Sequence, residues 1–103
     1  MLTFEINLHH QIEKRLKFLI EKYANKKAFF KELISYQIKQ LEQAIFNIEK
    51  DLRQYEKQYQ LSSKEFYELF TQGKYGDEDD YMIWSGLYEL NKKNKSELKQ
   101  LQW

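Results

Sequence analysis

The fold depends on residues 34–59, which read ISYQIKQLEQAIFNIEKDLRQYEKQY. Apolar residues recur through this stretch at alternating spacings of three and four, which is the a/d pattern of a heptad repeat. Such a pattern places one narrow apolar stripe along a helix, and the stripe needs a partner helix. The stripe, called the seam from here on, begins at Ile34 and continues through Ile38, Leu41, Ile45, Ile48, Leu52, Tyr55 and Tyr59.

Two different partners would satisfy the seam. A second copy of the chain would form a coiled-coil homodimer or a higher oligomer, which is the simplest prediction. The alternative is an antiparallel hairpin in which the C-terminal helix of the same chain covers the stripe. Spacing alone does not separate these two arrangements, because it indicates which face is buried and not what buries it.

The composition suits a small helical protein. The chain has 103 residues, no proline and 32% charged residues, which favours long solvated helices. It has no cysteine, so disulfides and thiolate metal sites are excluded, and a reducing cytoplasm is the expected location. No apolar run approaches the roughly 20 residues that span a bilayer, so we expect no membrane partner.

Helices are predicted over most of the chain. An amphipathic helix covers residues 11–23, Asn25 is a candidate N-cap or turn residue, and an unbroken helix runs over residues 28–60. Ser62 and Glu65 have the spacing of a capping box, so a short helix is expected over residues 63–72, ending at Gly73. Asp77 is expected to cap a last helix that contains Trp84, Leu87, Tyr88 and Leu98.

The first residues differ from the rest. Leu2, Phe4, Ile6 and Leu8 alternate with polar residues, which predicts a half-buried strand. A lone strand cannot satisfy its own backbone groups, so this strand is expected to pair with the strand of a second copy.

The order strand, helix, turn, helix over residues 2–40 resembles the ribbon-helix-helix DNA-binding domain. The resemblance rests on Phe4–Leu8 (FEINL), on Ile12 and on the Arg15-Leu16 pair. In that family two strands form an antiparallel ribbon that enters the major groove. The positions that the resemblance implies in contact with operator DNA are Thr3, Glu5, Asn7, Lys26, Lys27 and Ala28.

This sequence departs from the usual ribbon-helix-helix pattern in two places. Glu5 stands on the exposed strand face, where basic residues are common, and it would repel phosphate. The connector between the helices has neither glycine nor a hydroxyl residue. Asn7 remains able to read a base edge, and Lys26 and Lys27 remain able to contact phosphates.

The C-terminal stretch resembles the tail of small bacterial antitoxins of type II toxin–antitoxin systems, notably cyanobacterial ones. The resemblance is carried by Glu65-Phe66-Tyr67, Phe70, Gly73, Gly76-Asp77 and Trp84-Ser85-x-Leu87-Tyr88. It implies that the tail binds a cognate toxin, often an RNase, while the N-terminal domain represses its own operon. The toxin-binding residues expected on this basis are Phe66, Tyr67, Phe70, Asp77, Asp79, Asp80, Tyr81, Trp84 and Tyr88.

These tail features also have simpler interpretations. Asp77-Glu78-Asp79-Asp80 would stabilise the start of a helix through its dipole. The same carboxylates would also mimic RNA phosphates on a basic toxin surface. Trp84 and Tyr88, four residues apart, form either a packing pair or a toxin contact, and Phe66, Tyr67 and Phe70 have the same two possibilities.

Nothing in the sequence predicts catalysis, a metal or a cofactor. There is no glycine-rich phosphate loop and no serine beside a histidine base. A calcium loop that opened at Asp77 would need glycine where Met82 stands. His9 and His10 are expected to be a solvated pair.

The sequence therefore predicts a mainly α protein with an N-terminal strand paired across a dimer. We expect a ribbon-helix-helix-like domain over residues 1–40, a coiled-coil extension over 41–60 and a helical toxin-binding tail over 61–103. The expected function is that of an antitoxin and autorepressor, which is no enzyme, with a toxin and operator DNA as partners. The alternative is a structural or adaptor coiled-coil dimer that does not bind DNA.

Overall fold

A computed structural model describes residues 9–23 and 25–103 of the chain. Over these residues the protein has four α-helices: α1 (His10–Lys22), α2 (Lys26–Tyr59), α3 (Ser63–Thr71) and α4 (Asp79–Leu101). Helices make up 84% of the described residues, and no strand occurs among them. The predicted mainly α class is therefore confirmed.

The ribbon-helix-helix architecture is wrong for this chain. That fold is organised around a β-ribbon shared by two copies, whereas the described residues form four helices and no sheet. The physical reason lies in the core, because the second half of α2 buries its apolar stripe against helices of its own chain. The predicted strand itself, residues 2–8, lies outside the described residues.

The chain divides into two units, Met1–Ser35 and Tyr36–Trp103. In the described part of the first unit, the Asn25 side chain accepts a hydrogen bond of 2.7 Å from the Ala28 amide. The predicted N-cap at Asn25 is thereby confirmed, and the rings of Tyr23 and Phe29 meet edge to face beside it. No residue of α1 is buried.

The second unit is an antiparallel helical hairpin with α3 packed against it. The two helices run in opposite directions, because residues further along α2 contact residues earlier in α4. The contacting pairs are Glu49 with Lys95, Tyr55 with Trp84, and Tyr59 with Tyr81. Ile48 and Leu52 are buried inside the chain by this pairing. From Ile48 to Tyr59, the seam therefore packs against helices of the same chain. This is the antiparallel hairpin that the sequence allowed as one of two alternatives.

The first half of the seam has a different environment. Ile38, Leu41 and Ile45 are only half-buried, in contrast to Ile48 and Leu52. This part of the stripe keeps apolar surface exposed to solvent.

Local capping explains where α3 begins and ends. Ser62 Oγ accepts a hydrogen bond of 3.1 Å from the Glu65 amide, as the capping box predicts. The Ser63 amide donates to Glu56 Oε2 of α2, which ties the start of α3 to the preceding helix. Gly73 ends α3 with a φ of 77°, where a side chain would be strained.

The start of α4 is one residue later than predicted. The helix begins at Asp79, and Glu78 rather than Asp77 occupies the N-cap position. Glu78 makes no capping hydrogen bond with its side chain. The N-terminus of α4 is therefore stabilised by the negative charges of Asp79 and Asp80 in its first turn, which interact favourably with the helix dipole, and not by a side-chain cap.

The core of the second unit is built from stacked aromatic rings. Phe66 of α3 and Trp84 of α4 are completely buried, and their rings lie parallel with centroids 3.8 Å apart. Tyr55 and Tyr59 of α2 also stack on Trp84. Trp84 Nε1 donates a hydrogen bond of 2.8 Å to Ser63 Oγ, so its one polar atom has a partner.

Replacing the central tryptophan should therefore be costly. We expect Trp84→Ala to lower the free energy of unfolding by about 3–5 kcal/mol, since it empties the middle of the core. Urea titration followed by circular dichroism measures this change. Trp103→Ala is the matched control, because Trp103 is 79% exposed, and it should change the free energy by less than about 0.5 kcal/mol. Equal effects of the two substitutions would contradict the described core.

Candidate protein-binding surface

A groove runs along one side of the hairpin, between α2 and α4. Its volume is about 390 Å³. Four of its residues come from α2 and three from α4; they are Asp51, Gln54, Tyr55, Gln58, Asp80, Ile83 and Leu87. We call this the α2–α4 groove.

The helical repeat explains why these residues meet. Asp51, Gln54 and Gln58 follow one another at spacings of three and four, so they share one side of α2. Ile83 and Leu87 are four residues apart on α4 and share the side that faces the same groove. The seam residue Tyr55 forms the floor between the two helices, because its ring lies against Trp84.

The α2–α4 groove combines apolar surface with negative charge. Ile83 is 51% exposed, and Leu87 is half-buried. Burial raises the pKa of the Tyr55 phenol, and the negative charges of Asp80 and Asp51 raise it further. The two carboxylates therefore set a negative potential inside the groove.

Asp80 is held in place by a tyrosine. The Tyr59 hydroxyl donates a hydrogen bond of 2.6 Å to Asp80 Oδ2. This bond, with partial burial and the charge of Asp80, raises the pKa of Tyr59 to about 12. The bond joins the end of α2 to the first turn of α4, at one end of the groove.

A polar cluster joins the same two helices further along. Glu49 Oε2 accepts a hydrogen bond of 3.4 Å from Asn91 Nδ2 and lies 2.7 Å from Lys95 Nζ. The bond to Lys95 lowers the pKa of Glu49 despite its partial burial, and the bond to Asn91 lowers it further. Asn91 Oδ1 is buried without a hydrogen-bond partner.

A second tyrosine–carboxylate bond fastens α3 to α4. The Tyr67 hydroxyl donates to Glu89 Oε1 at 2.5 Å, which raises the pKa of Tyr67. The ring of Tyr67 also packs against Tyr88. These contacts hold the side of α4 that faces away from the α2–α4 groove.

The four acidic residues at the start of α4, Asp77 to Asp80, differ in their exposure to solvent. Asp80 is half-buried and bonded to Tyr59, whereas Asp77, Glu78 and Asp79 are exposed. No lysine or arginine among the described residues forms an ion pair with those three. They form an acidic edge next to the groove.

The residues expected to bind a toxin therefore occupy different environments. Phe66 and Trp84 are fully buried, so their side chains are unavailable to a partner in this conformation. The four half-buried members pack on the core or on each other; they are Tyr67, Phe70, Tyr81 and Tyr88. Only the carboxylates of Asp77 and Asp79 are openly exposed.

Sequence reasoning missed Ile83, Asp51, Gln54 and Gln58 as surface candidates. Their signal was present, since Ile83, Leu87 and Leu90 recur at four and three along α4 and form a second apolar stripe beside the buried one. This stripe becomes recognisable only once Trp84 and Tyr88 are assigned to the core.

Of the residues expected to contact DNA, only Lys26, Lys27 and Ala28 lie in the described part of the chain. Thr3, Glu5 and Asn7 lie outside the described residues, and Lys26 and Lys27 are exposed in the first turn of α2. The Ala28 amide already donates to Asn25 Oδ1, so it is not free to hold a phosphate.

The described residues contain no metal cluster. Within residues 9–23 and 25–103, no three His, Asp or Glu side chains come together as a metal site. His9 Nδ1 instead accepts a hydrogen bond of 3.4 Å from the Gln11 amide at the start of α1. None of the helices in this part of the chain is both long and apolar enough to cross a bilayer.

Comparison with known proteins adds no relative. No protein-family model matches the sequence, and neither a curated protein nor a solved structure matches the chain.

The Tyr59–Asp80 bond predicts a pH dependence of stability. The pKa of Tyr59 is raised from 10.0 to about 12 on folding, so its stabilising effect is complete below pH 10 and is lost as the pH rises towards 12. We expect Tyr59→Phe to be less stable at pH 8 and to lose less stability between pH 10 and pH 12. Urea titrations at a series of pH values measure both effects.

The control for this prediction is Tyr36→Phe. Tyr36 is 56% exposed on the same helix, and its hydroxyl forms no hydrogen bond among the described residues. Its variant should follow the wild-type curve. A Tyr59→Phe protein with the wild-type alkaline slope would exclude a stabilising role for this bond.

Proposed function

We propose that this chain is an antitoxin-type binding protein whose C-terminal unit holds a basic partner protein, first of all an RNase toxin. The observation that carries the proposal is the α2–α4 groove, which exposed Ile83 lines together with Asp51 and Asp80, next to an acidic edge. Exposed apolar surface rimmed by charge is typical of a site that binds another protein.

The resemblance of the tail to type II antitoxins supports the toxin as partner. The motif residues then divide into two roles. Phe66 and Trp84 build the rigid core, and that core positions the side chains that contact the partner. A preorganised surface loses less conformational entropy on binding than a disordered tail would.

The charge of the groove favours a basic partner. An enzyme that binds RNA carries positive charge near its active surface, and Asp77 and Asp79 would stand in for phosphates there. Opposite charges also accelerate association at low salt. The proposal places the protein in the cytoplasm, since an RNA-cleaving toxin acts there.

Operator binding through a β-ribbon is no part of this proposal, because the fold on which it rested is wrong. A homodimer remains part of the proposal.

The alternative function is that of a structural or adaptor protein, and one observation favours it. Ile38, Leu41 and Ile45 leave the first half of the seam half-exposed, which suits a coiled-coil partner.

The test is co-expression with the product of any small reading frame that lies next to the gene, and the absence of a toxic product there would reject the antitoxin role. We expect the wild-type chain to relieve the growth arrest that this product causes and to co-purify with it. Ile83→Lys should weaken binding by about tenfold or more, because it places a cation inside an acidic groove that a basic partner fills.

Phe46→Lys is the matched control for Ile83→Lys. Phe46 is 61% exposed, and it lies about 140° around α2 from Asp51, outside the groove. It should bind like the wild type. Failure of the wild-type chain to bind any such product would reject the antitoxin role. Equal loss in both variants would reject the groove as the site.

Salt dependence tests the acidic edge separately. The double variant Asp77→Asn/Glu78→Gln should associate with the partner more slowly at low salt and at the wild-type rate at high salt, since salt screens exposed charges. Stopped-flow or surface-based kinetics measure the association rate. A rate that is unchanged at low salt would exclude steering by these carboxylates.

A further inference from the structure

A second exposed face of α4 lies next to the α2–α4 groove. Asp79, Met82, Gly86, Leu90 and Lys93 follow one another at spacings of three and four, so they form one continuous stripe along the helix. All five are exposed; Met82 is 52% and Leu90 45% exposed. We call this stripe the outer face of α4.

The glycine in this stripe has no role within the described chain. Gly86 lies inside α4, where glycine costs roughly 1 kcal/mol relative to alanine. A Cβ atom added to Gly86 would meet nothing within 4 Å, so packing inside the chain does not require glycine there. A glycine on an exposed helix face allows another backbone to approach closely.

The chemistry of the outer face is symmetric about Gly86. The apolar residues Met82 and Leu90 lie four residues before and four residues after Gly86. The oppositely charged residues Asp79 and Lys93 lie seven residues before and seven residues after it. Neither charge forms an ion pair among the described residues.

Such a face is complementary to a second copy of itself. When two α4 helices cross antiparallel at Gly86, a two-fold axis passes between the glycines. Met82 of each copy then meets Leu90 of the other, and Asp79 meets Lys93. We propose that this chain forms a homodimer through the outer face of α4, with the two glycines at the crossing point.

The proposal does not depend on the proposed function, and the two surfaces share only Asp79. When Asp79 faces Lys93 of a second copy, the exposed carboxylates of Asp77 and Glu78 remain available to a basic partner. The α2–α4 groove uses Ile83 and Leu87, which lie on a neighbouring side of α4. A toxin-binding chain and an adaptor would both be able to pair in this way. The dimer of the antitoxin proposal would then be joined by its C-terminal units and would need no β-ribbon.

Sedimentation velocity of the full chain across a wide concentration range tests the proposal. We expect a reversible dimer. Gly86→Leu should raise its dissociation constant by at least about tenfold, because two leucine side chains would hold the helices apart. The helical circular dichroism signal of this variant should match that of the wild type, since nothing within 4 Å opposes the new side chain.

Ser96→Leu is the control, because Ser96 is also exposed on α4 but lies outside the outer face. It should leave the dissociation constant unchanged. A chain that remains monomeric at every concentration overturns the proposal. A dimer with the same constant in Gly86→Leu also overturns it, because the copies then pair elsewhere, for example through the first half of the seam.

Charge exchange tests the symmetry itself. Asp79→Lys and Lys93→Asp each place like charges opposite one another and should each weaken the dimer by about tenfold. The double variant Asp79→Lys/Lys93→Asp restores opposite charges at both ends, so it should return to within about threefold of the wild type. Additive losses in the double variant would exclude this pairing.

Discussion

The stacked pair of Phe66 and Trp84 is the contact on which the C-terminal unit depends. Its two rings join α3 to α4, and the rings of Tyr55 and Tyr59 from α2 also stack on the tryptophan. The hydrogen bond from Trp84 to Ser63 fixes the rotation of the indole at the first residue of α3. Three helices therefore take their positions from one side chain.

This core also determines what the surface can do. Most aromatic residues of the tail pack in or against the core, so the residues around them are the ones available to bind a partner. Those residues are of two kinds: an acidic groove with Ile83 in its wall, and an outer helix face centred on Gly86. The tyrosine–carboxylate bonds at Asp80 and Glu89 fasten α4, which carries both surfaces, to the other two helices.

Local structure was predictable because its causes are local. The long helix was expected over residues 28–60 and is found at Lys26–Tyr59, and the short one was expected over 63–72 and is found at Ser63–Thr71. Asn25 and Ser62 cap these helices through hydrogen bonds to amides three residues away, and such bonds need no tertiary context. The predicted N-cap of α4, Asp77, precedes the observed one, Glu78, by one residue. Adjacent acidic residues do not indicate by themselves which of them begins the helix.

Tertiary choices were not predictable from the same patterns. The seam was predicted from Ile34 to Tyr59. Ile48 and Leu52 are buried, and Tyr55 and Tyr59 pack against the same core. Heptad spacing did not identify α4 as the cover, since the spacing is the same for both partners. The order of elements, together with Phe4–Leu8, Ile12 and the Arg15-Leu16 pair, suggested the ribbon-helix-helix fold, and that was wrong. Phe66 and Trp84 were expected as toxin contacts, with core packing as the alternative, because large aromatic residues are favoured both in cores and in interfaces.

The central claim is that α2 and α4 pair within one chain, and nuclear magnetic resonance tests it most directly. A mixture of isotope-labelled and unlabelled chains allows nuclear Overhauser effects within a chain to be separated from those between chains. We expect contacts between the rings of Tyr55 and Trp84 that arise only within a chain. Contacts between these rings that arise only between labelled and unlabelled chains would contradict it.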